Sequence, residues 1–266
     1  MKDKVVVITG ASSGIGAALA EAVAGAGGRP VLTARREKEL RDVAARCGAE
    51  ALAVPADVTR RDDVARVFEQ AIARFGRVDV WVNNAGRGIT RPVSQLTDED
   101  IDEMMSVNLK SALYGMQAVL PHFKTRGTGQ IINVSSMLGR IPLAPMRSAY
   151  NAAKHALNAL TGSLRGELRA DFPGIIVTTV SPGVVATEFG VHARGGGLDS
   201  RTVPNAQSAA EVAVVILEAI RSPRADIYTR PQAKEQVVAY FAAEDMAAVE
   251  AATSFSVLPK PSRATA

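Results

Sequence analysis

Lys4-Val5-Val6-Val7-Ile8-Thr9-Gly10-Ala11-Ser12-Ser13-Gly14-Ile15-Gly16, running on into Ala17-Ala18-Leu19-Ala20-Glu21-Ala22-Val23-Ala24, is the stretch that decides the fold. The β-branched run from Val5 to Thr9 reads as a buried parallel strand, and the alanine-rich run after Gly16 is a good helix former. Strand, glycine turn and helix in immediate succession is the context that a dinucleotide-binding loop requires. Gly10 allows the tight turn, Gly14 the close approach of a pyrophosphate, and Gly16 the packing of helix on strand. Ser12, Ser13 and Ile15 complete the cradle, and the anion rests on free amides at the positive end of the helix dipole. Glycines that merely mark a tight turn are the competing reading, and the flanking strand and helix weigh against it.

Working outward, short β-branched runs alternate with helical stretches along the chain. Further strands are expected at 29–34, 50–54, 79–82, 130–134, 175–180 and 226–229. Alternation of this kind predicts an α/β fold with crossover helices: a single Rossmann-like, doubly wound domain whose parallel sheet of about seven strands is flanked by helices on both faces. The 266 residues, 47% of them hydrophobic, suffice for one large core. Residues 1–230 are expected to form the dinucleotide-binding and catalytic domain. Residues 231–266 form a C-terminal extension, helical over 234–252 and disordered over 259–266.

The second strand ends at Arg35-Arg36. In dinucleotide folds, an acidic residue about 20 positions beyond the loop holds the adenosine ribose hydroxyls and selects NAD. An arginine cannot accept that hydrogen bond, but it pairs well with a 2′-phosphate, so Arg35 and Arg36 favour NADP(H). Two solvated arginines ahead of a helix, offset by Glu37 and Glu39, are the plainer alternative.

Tyr150 and Lys154 stand four residues apart in Ser-Ala-Tyr-Asn-Ala-Ala-Lys, and so share one helix face. A neighbouring ammonium is expected to lower the phenol pKa from about 10 and make the tyrosine a usable proton donor and acceptor. Ser135 and Ser136 follow the apolar run 130–134, at the carboxyl end of a strand, where open parallel sheets build their sites. Asn108 falls in a helix opened by Thr97 as N-cap, with Asp98, Glu99 and Asp100 behind it.

The glycine spacing resembles that of the short-chain dehydrogenase/reductase family, in its classical branch. The resemblance runs on through Asn83-Asn84-Ala85-Gly86, Asn108, Ser135-Ser136, Tyr150-x-x-x-Lys154 and Ser181-Pro182-Gly183, in the family's order, and covers roughly residues 4–230. It implies a catalytic set of Asn108, Ser136, Tyr150 and Lys154, in which Ser136 binds the substrate oxygen, Tyr150 transfers the proton and Asn108 holds a water that relays protons to Lys154. Ser136 precedes Tyr150 by one residue more than is commonest in the family, which keeps Ser135 as an alternative. The resemblance also implies cofactor contacts from Asp57 and Val58 at the adenine, from Asn84, Ala85 and Gly86 along the adenosine, from Tyr150 and Lys154 at the nicotinamide ribose, and from Pro182, Gly183, Val185 and Thr187 around the nicotinamide amide. Asn83 is read as structural. Ser13 departs from the basic residue that NADP-preferring relatives often carry there.

In such proteins the region corresponding to 188–205 is a substrate lid, and Gly195-Gly196-Gly197 would give it a hinge. Met137, Leu138, Ile141, Leu143, Phe189, Val191 and His192 are the expected pocket residues, suited to a moderately hydrophobic ketone, aldehyde or secondary alcohol. Small residues at Ala112, Gly115, Ala153, Ala156, Ala159 and Gly162 are read as outer positions of two helices, on the face through which the family forms dimers and tetramers. His155, about 100° around the helix from Lys154, is expected to pack or to meet such an interface.

Composition narrows the alternatives. The net charge of +4 is dispersed and has no aromatic-rich basic stripe, which argues against nucleic acid as a partner. Cys47 is the only cysteine, so an intrachain disulfide is excluded. His122, His155 and His192 lack metal-ligand spacing, and no metal is expected. Without a membrane-length apolar run or room for a leader before the first strand, a cytoplasmic protein with a small-molecule substrate is expected. A non-catalytic NADP(H) sensor or scaffold on the same fold is the competing function. Such a protein has no chemical need for the full Asn108, Ser136, Tyr150 and Lys154 set.

Overall fold

Strand β1 (Val5–Thr9) is buried along its whole length, as its β-branched sequence requires. It lies at the middle of a seven-stranded parallel sheet with β2 (Arg29–Ala34), β3 (Leu52–Pro55), β4 (Val80–Asn83), β5 (Gly129–Val134), β6 (Ile175–Ser181) and β9 (Asp226–Tyr228), in the order β3-β2-β1-β4-β5-β6-β9. Every expected strand is present, with ends shifted by a residue or two. The computed structural model describes residues 1–252.

Successive residues of a strand face opposite sides, and the two cores follow from that alternation. Val6 and Ile8 join Leu32, Val82, Ile132 and Val180 beneath α1 (Gly14–Gly25), α2 (Glu37–Cys47) and α7 (Ala209–Arg221). Val5 and Val7 join Val31, Trp81, Ile131 and Val177 beneath α3 (Arg61–Phe75), α5 (Ser111–Arg126) and α6 (Ser148–Leu168). The protein is therefore a Rossmann-like α/β fold with helices on both faces of the sheet. The chain winds outward from β1 to β3 and returns to place β4 on the other side of β1. Above the carboxyl ends of β1 and β4 lies the switch point at which such sheets bind ligands.

Three local features differ from expectation. Helix α4 (Asp98–Met105) opens with a capping box between Thr97 and Asp100, but it reaches α5 through a widened π turn, Ser106–Lys110, that carries Asn108. The short strands β7 (Val185–Ala186) and β8 (Gln207–Ser208) pair in parallel at the two ends of the segment between them. The single helix expected over 234–252 is two, α8 (Gln232–Ala242) and α9 (Met246–Ala252). Ala243 is extended, Asp245 accepts from the Ala248 amide, and the Tyr240 hydroxyl donates to Glu250 across the break at 2.6 Å. The tail expected at 259–266 lies outside the described residues. Among the described residues no helix is long and apolar enough to cross a membrane, and no group of three or more His, Cys, Asp or Glu side chains could hold a metal ion.

Candidate active site

The glycine loop is shaped by close approach. Gly10 has φ +69°, and a Cβ there would lie 2.8 Å from the Ala85 Cα. A Cβ on Gly16 would lie 2.4 Å from the Gly10 carbonyl oxygen, so α1 sits hard against the turn. Gly14, at φ +56°, faces Thr187, whose Cγ2 would be 3.2 Å from an added Cβ. The loop thus meets the chain just after β7 (Val185–Ala186), at one of the residues expected to bracket the nicotinamide. Val185, in β7, and Thr187, just after it, are half-buried, and Pro182, between β6 and β7, accepts from the Met137 amide at 2.8 Å, which joins it to the turn after β5. Around Gly183 a Cβ would meet nothing within 4 Å, which leaves its backbone open to a ligand.

A residue that the sequence reading did not single out ties the loop to its neighbour. The Thr9 hydroxyl accepts from the Asn84 and Ala85 amides, both at 2.9 Å, and donates to the Val82 carbonyl. The Asn84 side chain returns a bond to the Thr9 carbonyl at 2.8 Å. A threonine as the last strand residue was the available signal. Asn83 bonds Trp81, Asn133 and the Ala112 carbonyl inside the core, a wholly internal role.

At the adenosine end, Arg35 is exposed, while the Arg36 guanidinium reaches back across the loop. It donates to Ser12 Oγ at 3.1 and 3.3 Å and to Ser13 Oγ at 2.6 Å. Arg36 thus holds a guanidinium against Ser13. Burial raises the Asp57 pKa, but hydrogen bonds from the Thr59 amide and hydroxyl and the charges of Arg35 and Arg60 outweigh it, and the net shift is downward. Val58, beside it, is buried. Their backbone is held by a bond from the Asp57 amide to Asp63 at 2.8 Å.

The residues expected to be catalytic gather where β5 ends. The Ser135 hydroxyl turns inward to the Lys154 carbonyl at 3.4 Å, whereas the Ser136 hydroxyl accepts from the Leu138 amide at 3.1 Å and favours the ionised form of the Tyr150 phenol. Of the two serines, Ser136 is the one that faces the tyrosine. Lys154, one turn further along α6, is buried; its Nζ donates to the Val134 carbonyl at 2.9 Å and lies 5.7 Å from the centre of the Tyr150 ring. Burial pulls the lysine pKa down to about 8.

Burial likewise pushes the Tyr150 phenol up to about 12, against smaller opposing effects of the Ser136 hydroxyl and the Arg147 charge. This corrects the expectation that the lysine lowers it: loss of solvent around a phenolate outweighs the Arg147 charge. The tyrosine is therefore protonated near neutrality, the form that donates to a carbonyl oxygen.

Asn108 is buried in the π turn. Its amide nitrogen donates to the Arg87 carbonyl at 2.9 Å and the Met104 carbonyl at 3.1 Å, and its oxygen accepts from the Arg87 amide at 3.1 Å. A Cβ on Gly86 would lie 2.9 Å from Asn108 Oδ1 and 3.6 Å from Lys154 Nζ, so the three residues converge.

The expected pocket residues divide. Leu138 and Phe189 join the apolar cluster around Tyr150, with the Phe189 ring edge-on to the tyrosine at 5.5 Å between centroids. Met137 begins the turn behind Ser136, and Ile141 is fully enclosed. Leu143 instead lines a groove of about 870 Å³ on the opposite face of α6, with Val93, Asn151, Ala152 and His155. Tyr150 and Lys154 do not line it. Val191 and His192 are exposed on the outer side of a turn in which His192 meets Glu188 at 3.3 Å, and the structure does not bring them to the tyrosine.

The small-residue face also needs correction. Ala112, Gly115 and Ala153 point inward, and a Cβ on Gly115 would lie 2.3 Å from both Asn83 Oδ1 and Trp81 Nε1. Their small size serves the core. Ala159 and Gly162 are exposed, and Ala156 is half-buried.

A dinucleotide cradle, a buried Ser–Tyr–Lys constellation and the open end of a parallel sheet together define a nicotinamide-dependent oxidoreductase. A family model for short chain dehydrogenases matches residues 4–195, and the chain belongs to the short-chain dehydrogenase/reductase family. An uncharacterized oxidoreductase of Bacillus subtilis, YxnA, is 39% identical over 246 residues, 88% of this chain and 67% of its own. Among solved structures, a short chain dehydrogenase/reductase from Burkholderia phymatum in complex with NAD matches with TM-score 0.83 and 28% identity, covering 90% of this chain and 93% of that one. An alcohol dehydrogenase from the archaeon Thermococcus sibiricus, complexed with 5-hydroxy-NADP, matches with TM-score 0.75 and 30% identity over 85% of this chain and 95% of that one.

Proposed function

We propose that this chain interconverts a carbonyl compound and an alcohol, preferring NADP(H) to NAD(H), with Tyr150 as general acid and base. The observation that carries this reading is the buried Tyr150 phenol, with Ser136 and Lys154 buried beside it and the Lys154 Nζ 5.7 Å from its ring, at the carboxyl end of β5. A bound nicotinamide dinucleotide supplies or accepts the hydride. Gly10, Gly14, Gly16 and the first amides of α1 hold its pyrophosphate; Asp57, Val58, Asn84, Ala85 and Gly86 line the adenosine; Pro182, Gly183, Val185 and Thr187 flank the nicotinamide amide. The fit rests on the glycine cradle, which side chains would fill, and on a donor set of free amides, hydroxyls and guanidinium groups suited to phosphate.

In the direction of reduction, the Ser136 hydroxyl donates to the substrate oxygen and orients it. Tyr150 then gives up its proton as negative charge develops there. The Lys154 ammonium stabilises the resulting phenolate, and with a pKa of about 8 it is charged at neutral pH. Asn108 holds a water between its turn and Lys154, and through it the tyrosine is reprotonated; its convergence with Gly86 and Lys154 supports this role. Phe189 and Leu138 cover the tyrosine and exclude bulk solvent from it.

The domain is read as 1–230, with 188–205 as its lid and 231–266 as an extension, and Ala156, Ala159 and Gly162 as the face that meets a second copy. Support for the lid comes from the β7–β8 pair at its base and from Arg194, which ion-pairs with Asp100 and Glu103 of α4.

Arg35 and Arg36, with no acidic side chain at the end of β2, support NADP(H). A charge-assisted hydrogen bond is worth about 1.5–3 kcal/mol, or roughly 10- to 100-fold in affinity. Titration of the protein with NADPH and NADH should show tighter NADPH binding by at least about tenfold. Arg36→Ala should erase most of that difference. Tighter binding of NADH by the unaltered protein would sink the cofactor assignment.

A further inference from the structure

Arg147 is the residue just before α6, three ahead of Tyr150. Its guanidinium stands between the 88–91 loop and the lid. Nη1 donates to the Ile89 carbonyl at 3.2 Å and the Thr90 hydroxyl at 3.1 Å. A Cβ on Gly88 would lie 3.2 Å from Arg147 Nη1 and 2.9 Å from the Phe189 ring, and a Cβ on Gly197 would lie 3.2 Å from Nη2. Phe189 is the ring packed edge-on against Tyr150. The arginine therefore sits on the substrate side of the acid/base tyrosine, under the lid.

Its charge is not answered by the protein. Nearby Arg87, Arg91 and Arg194 each pair with Asp100 or Glu103. Among the described residues no carboxylate pairs with Arg147, both of its acceptors are neutral, and Nε and Nη2 donate to no protein group. Partial burial pulls its pKa down, as expected for a cation that has lost some of its solvent without gaining a counter-charge. A half-buried, unpaired cation costs stability, and proteins keep such costs where a ligand offsets them. With Nη1 held by Ile89 and Thr90, the edge left over is the side-on fork of Nε and Nη2, whose two parallel donors match the two oxygens of a carboxylate.

We infer that Arg147 determines substrate specificity by binding a carboxylate on the carbonyl substrate, through the fork formed by its Nε and Nη2. Leu138 and Phe189 provide the apolar wall for the chain between that carboxylate and the reacting carbon, so the substrate class is an oxo-acid with an aliphatic body. One arginine with a planar fork suits a monoanionic carboxylate better than a phosphate dianion, which would call for more than one cation. This inference rests on the carbonyl-reductase reading above.

The test uses the full chain, NADPH and matched pairs of substrates: straight-chain oxo-acids of increasing length and their methyl esters. Unaltered protein should favour the acid over its ester in kcat/KM by about 10- to 100-fold for at least one chain length, mostly through KM. In Arg147→Gln, which keeps a donor toward Ile89 and Thr90, the acid-to-ester ratio should fall toward one. Arg147→Lys, a point charge without the fork, should restore only part of it. Hexanoate should raise the melting temperature of the unaltered protein and leave that of Arg147→Gln unmoved, which reads binding without catalysis. An acid-to-ester ratio near one in the unaltered protein, or a ratio unchanged in Arg147→Gln, would overturn the inference. Turnover of neutral ketones alone would do the same while leaving the reductase reading intact. No carbonyl turnover with either nicotinamide cofactor would overturn both.

Discussion

Gly16→Ala puts the close fit of helix α1 to the glycine loop under a one-carbon test. The new Cβ would stand 2.4 Å from the Gly10 carbonyl oxygen, 2.7 Å from Asn84 Nδ2 and 2.9 Å from the Gly10 carbonyl carbon. Ordinary contact begins near 3.4 Å, so relief needs a displacement of about 1 Å. None of the three atoms is a free side-chain tip. Gly10 is backbone in a left-handed turn, and Asn84 Nδ2 is bonded to the Thr9 carbonyl at 2.8 Å. Either the start of α1 lifts off β1, or Asn84 gives up its bond.

Overpacking of this kind costs about 1–3 kcal/mol, and a lost hydrogen bond about 1 kcal/mol more. Alanine in place of glycine inside a helix returns about 1 kcal/mol. The net is a loss of about 1–3 kcal/mol, which for a chain of this size lowers the melting temperature by roughly 3–10 °C. The same displacement moves the phosphate cradle, so NADPH affinity should fall by at least about tenfold. Thermal denaturation and a fluorescence titration with NADPH read the two effects. A melting temperature within about 1 °C of the parent, with unchanged affinity, would refute the packing argument.

Two other glycines should respond in opposite ways. Gly115→Ala drives a methyl between Trp81 Nε1 and Asn83 Oδ1, which share a 2.8 Å hydrogen bond, and should destabilise the fold by about 2–4 kcal/mol in chemical denaturation. Gly162→Ala meets nothing within 4 Å on exposed α6 and should stabilise by up to about 1 kcal/mol; a loss of oligomer on sizing instead would show that the added methyl meets a second copy. Lys154 contributes a pH dependence of known sign. Its folded pKa of about 8 lies below the ordinary 10.5, so its burial destabilises fully below pH 8, and the penalty lifts as the pH rises toward 10.5. Any melting-temperature advantage of Lys154→Met over the parent should therefore shrink between pH 8 and pH 10, and an advantage that grows there would contradict the assignment.

Much of the architecture was legible because the chain's periodicities are strong. Val5 to Thr9 could be placed by β-branching, and Gly10 to Gly16 by their position between strand and helix. The pairing of Tyr150 with Lys154 followed from helix geometry alone. What escaped the sequence depends on partners distant along the chain. Ala112, Gly115 and Ala153 have the composition of an interface face, yet Gly115 is small because Trp81 and Asn83 cross beneath it. The π turn at Asn108 fits a side chain that bonds Arg87, 21 residues away. Local spacing carries no trace of that bond. Val191 and His192 were grouped with Phe189 by adjacency, whereas a turn directs neighbouring side chains to opposite sides. The direction of the Tyr150 shift was misjudged because desolvation depends on burial, and a helix face read from sequence has no depth. Arg147 is one arginine among many in the sequence; its place against Gly88 and Gly197 beside Phe189, with no carboxylate partner, depends on contacts far along the chain.

The most direct measurement of the central claim is single-turnover and steady-state NADPH oxidation over a panel of ketones, aldehydes and oxo-acids, comparing the parent with Tyr150→Phe. The phenylalanine keeps the ring that packs against Phe189 and removes only the hydroxyl. Loss of a positioned general acid should lower turnover by at least about 100-fold, with NADPH binding retained. Turnover by Tyr150→Phe equal to that of the parent would contradict the account.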